Sequence, residues 1–537
     1  MTRLPARLLL AAALASAVPT APWAQTQAPS SAIRLPALGD IASETLSVGD
    51  ERHLGDQIMA ELRRDPDVLD DPLLLDYVQS LWQPLLAASR ERGNIGVDID
   101  KVYAWEPFLV RDREVNAFAL PGGYIGVYLG MIALTGSRDE LASVLAHEMS
   151  HVTQRHIARS IASASRQSLV GLAAMILGVL ATSRAGNGDA TQAVVVGSQA
   201  AMAQGQLNFS RDMEREADRI GWGVYSTAGF APIGFAAMFD KLDNASRLND
   251  SGNYPYLRSH PLTVERIGEA RARYEASAGP HGAVRVPLDH LLMQARARAL
   301  MDRSDLVLRR LQGQDTAPFA AAATSNERIA ALYASAVASL QLRDAMRAQA
   351  ALDTAQALAR DRLAADARAA RALLLLQAQV LQAVGQPARA LALLDGPAVA
   401  ADHSRPLMLA RAQVALEVAR SGGDNRPLRN QTEALQTWVA EQSRDAGAWA
   451  LLAQSAEALG LHLRSLRAEA ESHAALGDLS GAIDRLRSAQ RQAREARIAP
   501  DFIEASIIDS RLRDLSAQRR AQLAEARGER GRQEPAQ

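Results

Sequence analysis

His147-Glu148-Met149-Ser150-His151 decides the reading of this chain. It lies within Leu141–His156, a segment whose apolar residues recur with a helical period. On a helix, residues four apart stand one turn apart on the same face, so His147 and His151 can share a metal ion. Glu148 lies beside them, where it can take a proton from the water that attacks a bound substrate. The H-E-x-x-H spacing therefore predicts a zinc site with two imidazole ligands and a carboxylate general base, the chemistry of peptide hydrolysis. Only ten histidines occur in 537 residues, so a chance pairing beside an acid is a poor explanation.

The residues after His151 narrow the class. A metzincin places a glycine three residues, and a histidine six residues, after the second motif histidine. Gln154 and Ile157 stand there instead. His156, five residues after His151, should point to another helical face as a polar or capping contact. The third ligand must come from elsewhere, and Ser210–Gly221 is the best source. That segment reads as a helix capped by Ser210, with Met213, Ala217 and Ile220 as its apolar stripe. Glu214 and Asp218 run along one flank, with Gly221 on the same side to let the metal-bearing helix come close. Glu214 would complete a His, His, Glu set, and Asp218 would accept the free N–H of a ligating imidazole. Glu216, on the opposite flank, is the competing ligand. Arg211, Arg215 and Arg219 allow a plainer reading, in which these acids pair on a solvated face.

His147-Glu148-x-x-His151-Val152-x-x-Arg155-His156, followed by Glu214-x-x-Ala217-Asp218, resembles the gluzincin zinc metallopeptidases that include HtpX and the CAAX-prenyl endopeptidase. Leu35–Asp40, Asn116–Gly123 and Leu257–Ile267 agree with it. The nearest likeness is to the soluble periplasmic branch, which carries a C-terminal TPR domain. Specific motifs cover residues 35–275, and beyond them the likeness is one of architecture. The resemblance implies one Zn2+ per chain, Glu214 as its third protein ligand and Asp218 as an outer partner. It also implies that the loop bearing His260 lies over the active site. Pro261 disfavours helix at the residue before it, so His260 sits on an extended loop. From there it could stabilise an oxyanion or occupy the fourth zinc position as a latch; anchoring to backbone is the alternative. The implied work is degradation, or chaperone-like assistance in assembly, of misfolded outer-membrane β-barrel proteins. Unfolded or stalled outer-membrane proteins would be the substrates. The outer-membrane assembly machinery would be met through the TPR-like domain.

The rest of the chain supplies the setting. Arg3 and Arg7, an apolar run from Leu8 to Val18 and small residues up to Ala24 predict a cleaved signal peptide over residues 1–24. With no cysteine, the chain has neither a lipid-bearing cysteine nor a disulfide, which suits a periplasmic protein held by packing. Net charge is −1, from 59 basic and 60 acidic residues, and gives no support for a nucleic-acid partner. Residues 169–181 form the most apolar later stretch, too short to span a bilayer, with core packing and peripheral membrane contact as its two readings. Val102–Val110 and Ala117–Leu129 read as strands, the second turning at Pro121-Gly122-Gly123. Past residue 285 the helical pattern is nearly continuous, with TPR-like turns at Gly385, Gly460 and Gly477.

The expected fold is mainly α. A gluzincin metallopeptidase domain with a small β-sheet (50–280) follows an exposed lead-in (25–49). An α-solenoid of degenerate TPR-like helix pairs comes next (285–495), then a C-terminal helix and frayed tail (496–537). One rival is a TPR scaffold or chaperone with a latent or structural metal site, against which Glu148 argues, because a structural site needs no base. The other is a membrane-embedded prenyl-protein peptidase, against which the lack of a spanning segment argues.

Overall fold

The computed structural model describes residues 46–163, 210–247, 254–277, 286–315, 324–495 and 501–533. The signal peptide, nearly all of the lead-in, the 169–181 stretch and the last four residues lie outside these. Helix α1 (Val48–Leu62) opens with a capping box between Ser47 and Asp50. From residue 50 to 90 the chain is helical with one break. Asp65-Pro66-Asp67 follows the end of the helix, and proline disfavours the α region at the residue before it. A short strand β1 (Val68–Leu69) comes next, and α2 (Pro72–Glu91) restarts with Asp71 as N-cap and proline in its first turn.

The first expected strand is shorter than its apolar run suggests. Val102 ends a six-residue helix, and β2 covers only Glu106–Val110. The hairpin is as expected: β3 (Ala117–Leu120) and β4 (Tyr124–Tyr128) pair antiparallel. Gly122 and Gly123 turn between them at φ of 76° and 88°, conformations that favour glycine. The four strands lie in the order β1-β2-β4-β3, with β2 and β4 parallel and the other pairs antiparallel. β3 is therefore an outer strand, and it packs beside the motif helix α3 (Arg138–Thr153).

Ser137 caps α3 through the Glu140 N–H, and every residue from Glu140 to Thr153 is buried. A helix enclosed on all sides has a fixed position, as a catalytic helix needs. Around it lie α4 (His156–Ser163), α5 (Arg211–Thr227), α6 (Pro232–Arg247) and α7 (Val264–Ala276). Ser210 caps α5, as its sequence predicts.

From Leu288 onward the described residues are almost all helical, and from Asp305–Gln312 to Phe502–Gln533 each described helix packs on the next. Gly385, Gly460 and Gly477 end helices at φ of 74°, 74° and 79°. One continuous apolar core runs from α2 and α3 through Leu288–Leu300 into this helical region. Ion pairs cross the same boundary: Arg296 to Asp71 at 2.6 Å, Arg371 to Asp76 at 2.6 Å and Arg405 to Asp70 at 2.7 Å. Among the described residues no helix is long and apolar enough to cross a membrane.

Candidate metal centre

α3 carries His147, Glu148 and His151 through the buried centre, and the two imidazoles face each other with their Nε2 atoms 3.0 Å apart. α5 crosses α3 at Gly221, where a Cβ would stand 3.2 Å from the Ala146 carbonyl oxygen. That crossing brings Glu214 to the histidines, 3.4 Å from His151 Nε2 and 3.5 Å from His147 Nε2. His260 comes directly after the short turn Tyr256–Ser259. Its Nδ1 lies 3.3 Å from His147 Nε2 and 3.0 Å from Glu214 Oε1. These four buried residues each offer a ligand atom, all within 4.8 Å of one another.

The group has the dimensions of a tetrahedral zinc site. Ligands bonded at ~2.0–2.1 Å stand about 3.3–3.4 Å apart at the corners of a tetrahedron. The separations here run from 3.0 to 3.5 Å. Two imidazole nitrogens that close repel each other as lone pairs unless a cation or a proton lies between them. Glu214 Oε2 is buried and makes no well-formed hydrogen bond among the described residues, its charge being met by the Arg266 guanidinium at 2.8 Å. The donor set therefore fits zinc. Neither oxygen of Glu148 makes a well-formed hydrogen bond among the described residues; His260 Nε2 stands 3.5 Å from its Oε1.

Outside the four lies a second layer. His147 Nδ1 meets Asp218 Oδ1 at 3.0 Å. Arg266 donates to both Asp218 oxygens at 2.6 and 2.9 Å and to the Pro261 carbonyl at 2.8 Å; its Nη1 pairs with Glu214 Oε2 at 2.8 Å. The sequence singled out Arg266 only as part of a motif. An arginine six residues beyond the loop histidine, just inside a Thr263-capped helix, was the available signal.

On the other side His156 is a polar contact outside the ligand group, as expected, but the expected direction of its ring is corrected. Its ring does not point away: Nδ1 is 2.9 Å from His151 Nδ1, and Nε2 is 3.2 Å from Glu216 Oε2. The five-residue spacing misled because α3 ends at Thr153. Arg155 adopts φ of 51°, and α4 starts afresh at His156. Arg155 holds that turn by donating to Glu51 at 2.7 Å and to the Leu46 carbonyl at 2.5 Å. Glu216, the rival ligand, pairs with His156 and with Arg159 at 2.8 Å, outside the four-residue group.

The electrostatics stem from burial and pairing. Burial alone would lower the His147 imidazole, but the carboxylates of Asp218 and Glu214 push it up to about 10. Burial, then the His147 charge, hold His151 well below its usual value. Burial would raise Glu214, yet His260 and His147 keep it well below the carboxylate range. Burial raises the Glu148 carboxyl against the pull of His260 and His147. A proton on His147 thus fills, in the metal-free protein, the need for one positive charge among these acids.

Beside His147 lies a small, largely apolar cleft lined by Val144, Phe235, Met238, Phe239 and Leu242, with Tyr256, Leu257 and Leu262 of the His260 loop closing it.

Known proteins share this geometry's sequence signature. The profile of peptidase family M48 matches residues 88–274, the span that holds the whole site. The β-barrel assembly-enhancing protease of Escherichia coli (strain K12) is 31% identical over 473 residues, 86% of this chain and 88% of that protein. The protein of the same name from Yersinia pestis is 30% identical over 90% of this chain and 91% of its own length. A mitochondrial metalloendopeptidase of Saccharomyces cerevisiae is 27% identical over 35% of this chain and 53% of its own. Fold, donor set and these matches together define a zinc-dependent metalloendopeptidase of gluzincin type. The chain belongs to peptidase family M48.

Proposed function

We propose that this enzyme works in the periplasm, after loss of the 1–24 signal peptide, as an endopeptidase and chaperone-like factor for outer-membrane β-barrel proteins. The observation that carries the reading is the tetrahedral set His147, His151, Glu214 and His260 beside an unsatisfied, buried Glu148. The names of the relatives that match most of the chain supply the client class. His147, His151 and Glu214 hold the zinc. When bound, zinc supplies a Lewis acid that polarises the scissile carbonyl and makes a water acidic. Glu148 takes the proton of the attacking water and returns it to the leaving amine, a role its raised carboxyl pKa favours. Asp218 fixes the His147 tautomer. An extended client strand adds to the outer edge of β3, and an apolar side chain takes the cleft beside His147 once the His260 loop moves aside.

His260 is the latch in this reading. Its Nδ1 occupies the fourth corner of the ligand set, and it must withdraw before a substrate carbonyl can enter. The 285–495 region acts as a TPR-like solenoid that docks clients and the outer-membrane assembly machinery. Casein cleavage by Glu148→Gln and His260→Ala, with zinc content measured in parallel, tests the site. Glu148→Gln should keep zinc and lose roughly 10²–10⁴-fold in rate. His260→Ala should cleave faster than the parent. Slower cleavage by His260→Ala would make it an oxyanion donor, and a near-parental rate for Glu148→Gln would remove the proposed base.

A further inference from the structure

The outer contacts of the two motif histidines differ. His147 leans on a carboxylate directly, whereas His151 Nδ1 faces another imidazole, His156 Nδ1, at 2.9 Å. Two ring nitrogens at that distance need one proton between them. The other edge of His151 decides which ring carries it. Its Nε2 faces His147 and Glu214 in the ligand set, so it offers a lone pair there, and a neutral imidazole then bears its hydrogen on Nδ1. His156 Nδ1 must accept that hydrogen. The remaining proton of a neutral His156 sits on Nε2, which faces Glu216 Oε2 at 3.2 Å. Every donor thus finds an acceptor, and the line ends on a carboxylate that Arg159 grips at 2.8 Å.

We infer that His156 and Glu216 are positioning residues for the zinc centre, joined in a line from Glu216 through His156 to His151 that fixes the tautomer and ring plane of His151. The inference rests on His151 being a zinc ligand. The local fold supports the same arrangement. His156 is fully buried, and it heads α4 because Arg155, tied to Glu51 and the Leu46 carbonyl, turns the chain sharply after α3. The two motif histidines are therefore held by different means: His147 by Asp218 and Arg266, His151 by His156, Glu216 and Arg159. A carboxylate acting through an intervening imidazole still makes His151 more basic, and so a better donor to the metal.

The test is zinc affinity of the full-length protein, by chelator competition, with the absorption spectrum of the cobalt-substituted protein as a second readout. His156→Leu removes the acceptor and should weaken zinc roughly 10–100-fold and shift the cobalt spectrum. His156→Asn places an amide oxygen near the former Nδ1 and should recover most of that loss. Glu216→Ala should weaken zinc less than His156→Leu, and Glu216→Gln, which keeps an acceptor, less again. The Glu216 pair serves where His156→Leu fails to fold. His151→Ala is the control for the underlying reading and should abolish tight zinc binding. If His151→Ala loses zinc while the His156 and Glu216 variants bind it as the parent does, with the parental spectrum, the positioning role is wrong. An Asn variant no better than Leu also overturns it, since packing and not the acceptor would then matter. Tight zinc binding by His151→Ala would instead overturn the ligand assignment itself.

Discussion

Replacing Arg266 with methionine, a side chain of similar length without charge, should cost the fold about 3–5 kcal/mol at neutral pH. Arg266 and Asp218 are each almost wholly buried, and two charged hydrogen bonds of 2.6 and 2.9 Å join them. Bonds of this kind contribute ~1.5–3 kcal/mol each, and removing one partner of a buried pair costs ~3–5 kcal/mol because the other charge stays behind. Glu214 loses its 2.8 Å ion pair in the same stroke, so two buried acids are left short of positive charge. The pH dependence gives the sign. Burial would raise Asp218, but Arg266 and His147 hold its folded-state pKa below the unfolded value. Its stabilisation is therefore present above the unfolded pKa and fades as pH falls through the folded one. Without Arg266 that depression shrinks, so the gap between variant and parent should be widest near pH 7 and narrow in acid. Urea unfolding of metal-stripped protein, followed by tryptophan fluorescence at several pH values, measures it. A loss under about 1 kcal/mol at neutral pH, or one that widens in acid, would refute the reasoning.

The same geometry fixes three further outcomes. Glu214→Ala should lose zinc outright, whereas Asp218→Ala should weaken it roughly 10–100-fold, both read by metal analysis after dialysis against a graded chelator. The carboxylates keep His147 protonated up to about 10 in the metal-free protein, so zinc uptake near pH 7 should release close to one proton and tighten as pH rises; calorimetry in buffers of different ionisation enthalpy reads both. A chain ending at residue 280 should be unstable and prone to aggregate: Leu288–Leu300 shares the core of α2, and Arg296 neutralises Asp71, so a monomeric truncated protein with parental thermal stability would contradict the shared core.

The sequence made the inner site legible because helical spacing is local physics. His147 and His151 at i and i+4, and Glu214 and Asp218 at i and i+4 beside Gly221, need only a regular helix to share a face, and α3 and α5 are regular where it matters. The hairpin was legible for the same reason, since Pro121-Gly122-Gly123 forces a turn wherever it occurs. What escaped depended on departures from regularity. The face of His156 was misjudged because a non-glycine residue, Arg155, enters the left-handed region. Its reward is a set of contacts to Glu51 and Leu46, a hundred residues away in sequence. Arg266 escaped because its partners come from α5 and the Pro261 loop, and no spacing rule links them. The sharing of one core across residue 285 escaped as well. A change of pattern along the chain marks a change of helix arrangement, and it does not say whether packing stops there.

If His260 is the latch proposed above, Arg266 bears on how it would open while Asp218 stays held. Its Nε and Nη2 hold Asp218, while Nη1 alone reaches the Pro261 carbonyl next to His260 and the Glu214 oxygen. Withdrawing the His260 loop would break the Nη1 bond to the Pro261 carbonyl, of ~1.5–3 kcal/mol, together with the His260–Glu214 contact at 3.0 Å, and leave the bidentate grip on Asp218 in place. A bond of that size favours the closed loop by roughly 10- to 150-fold, before the affinity of His260 for the ligand set is added. A client strand on β3 whose apolar side chain takes the place of the loop beside His147 would offset part of that cost, since burying such a side chain yields about 1.5–3 kcal/mol. Tyr256, Leu257 and Leu262, on the loop itself, line the same cleft, so a side chain that enters it competes directly with the closed loop. Exposed apolar chain, the mark of an unfolded client, would then favour the open loop, as the proposed latch requires.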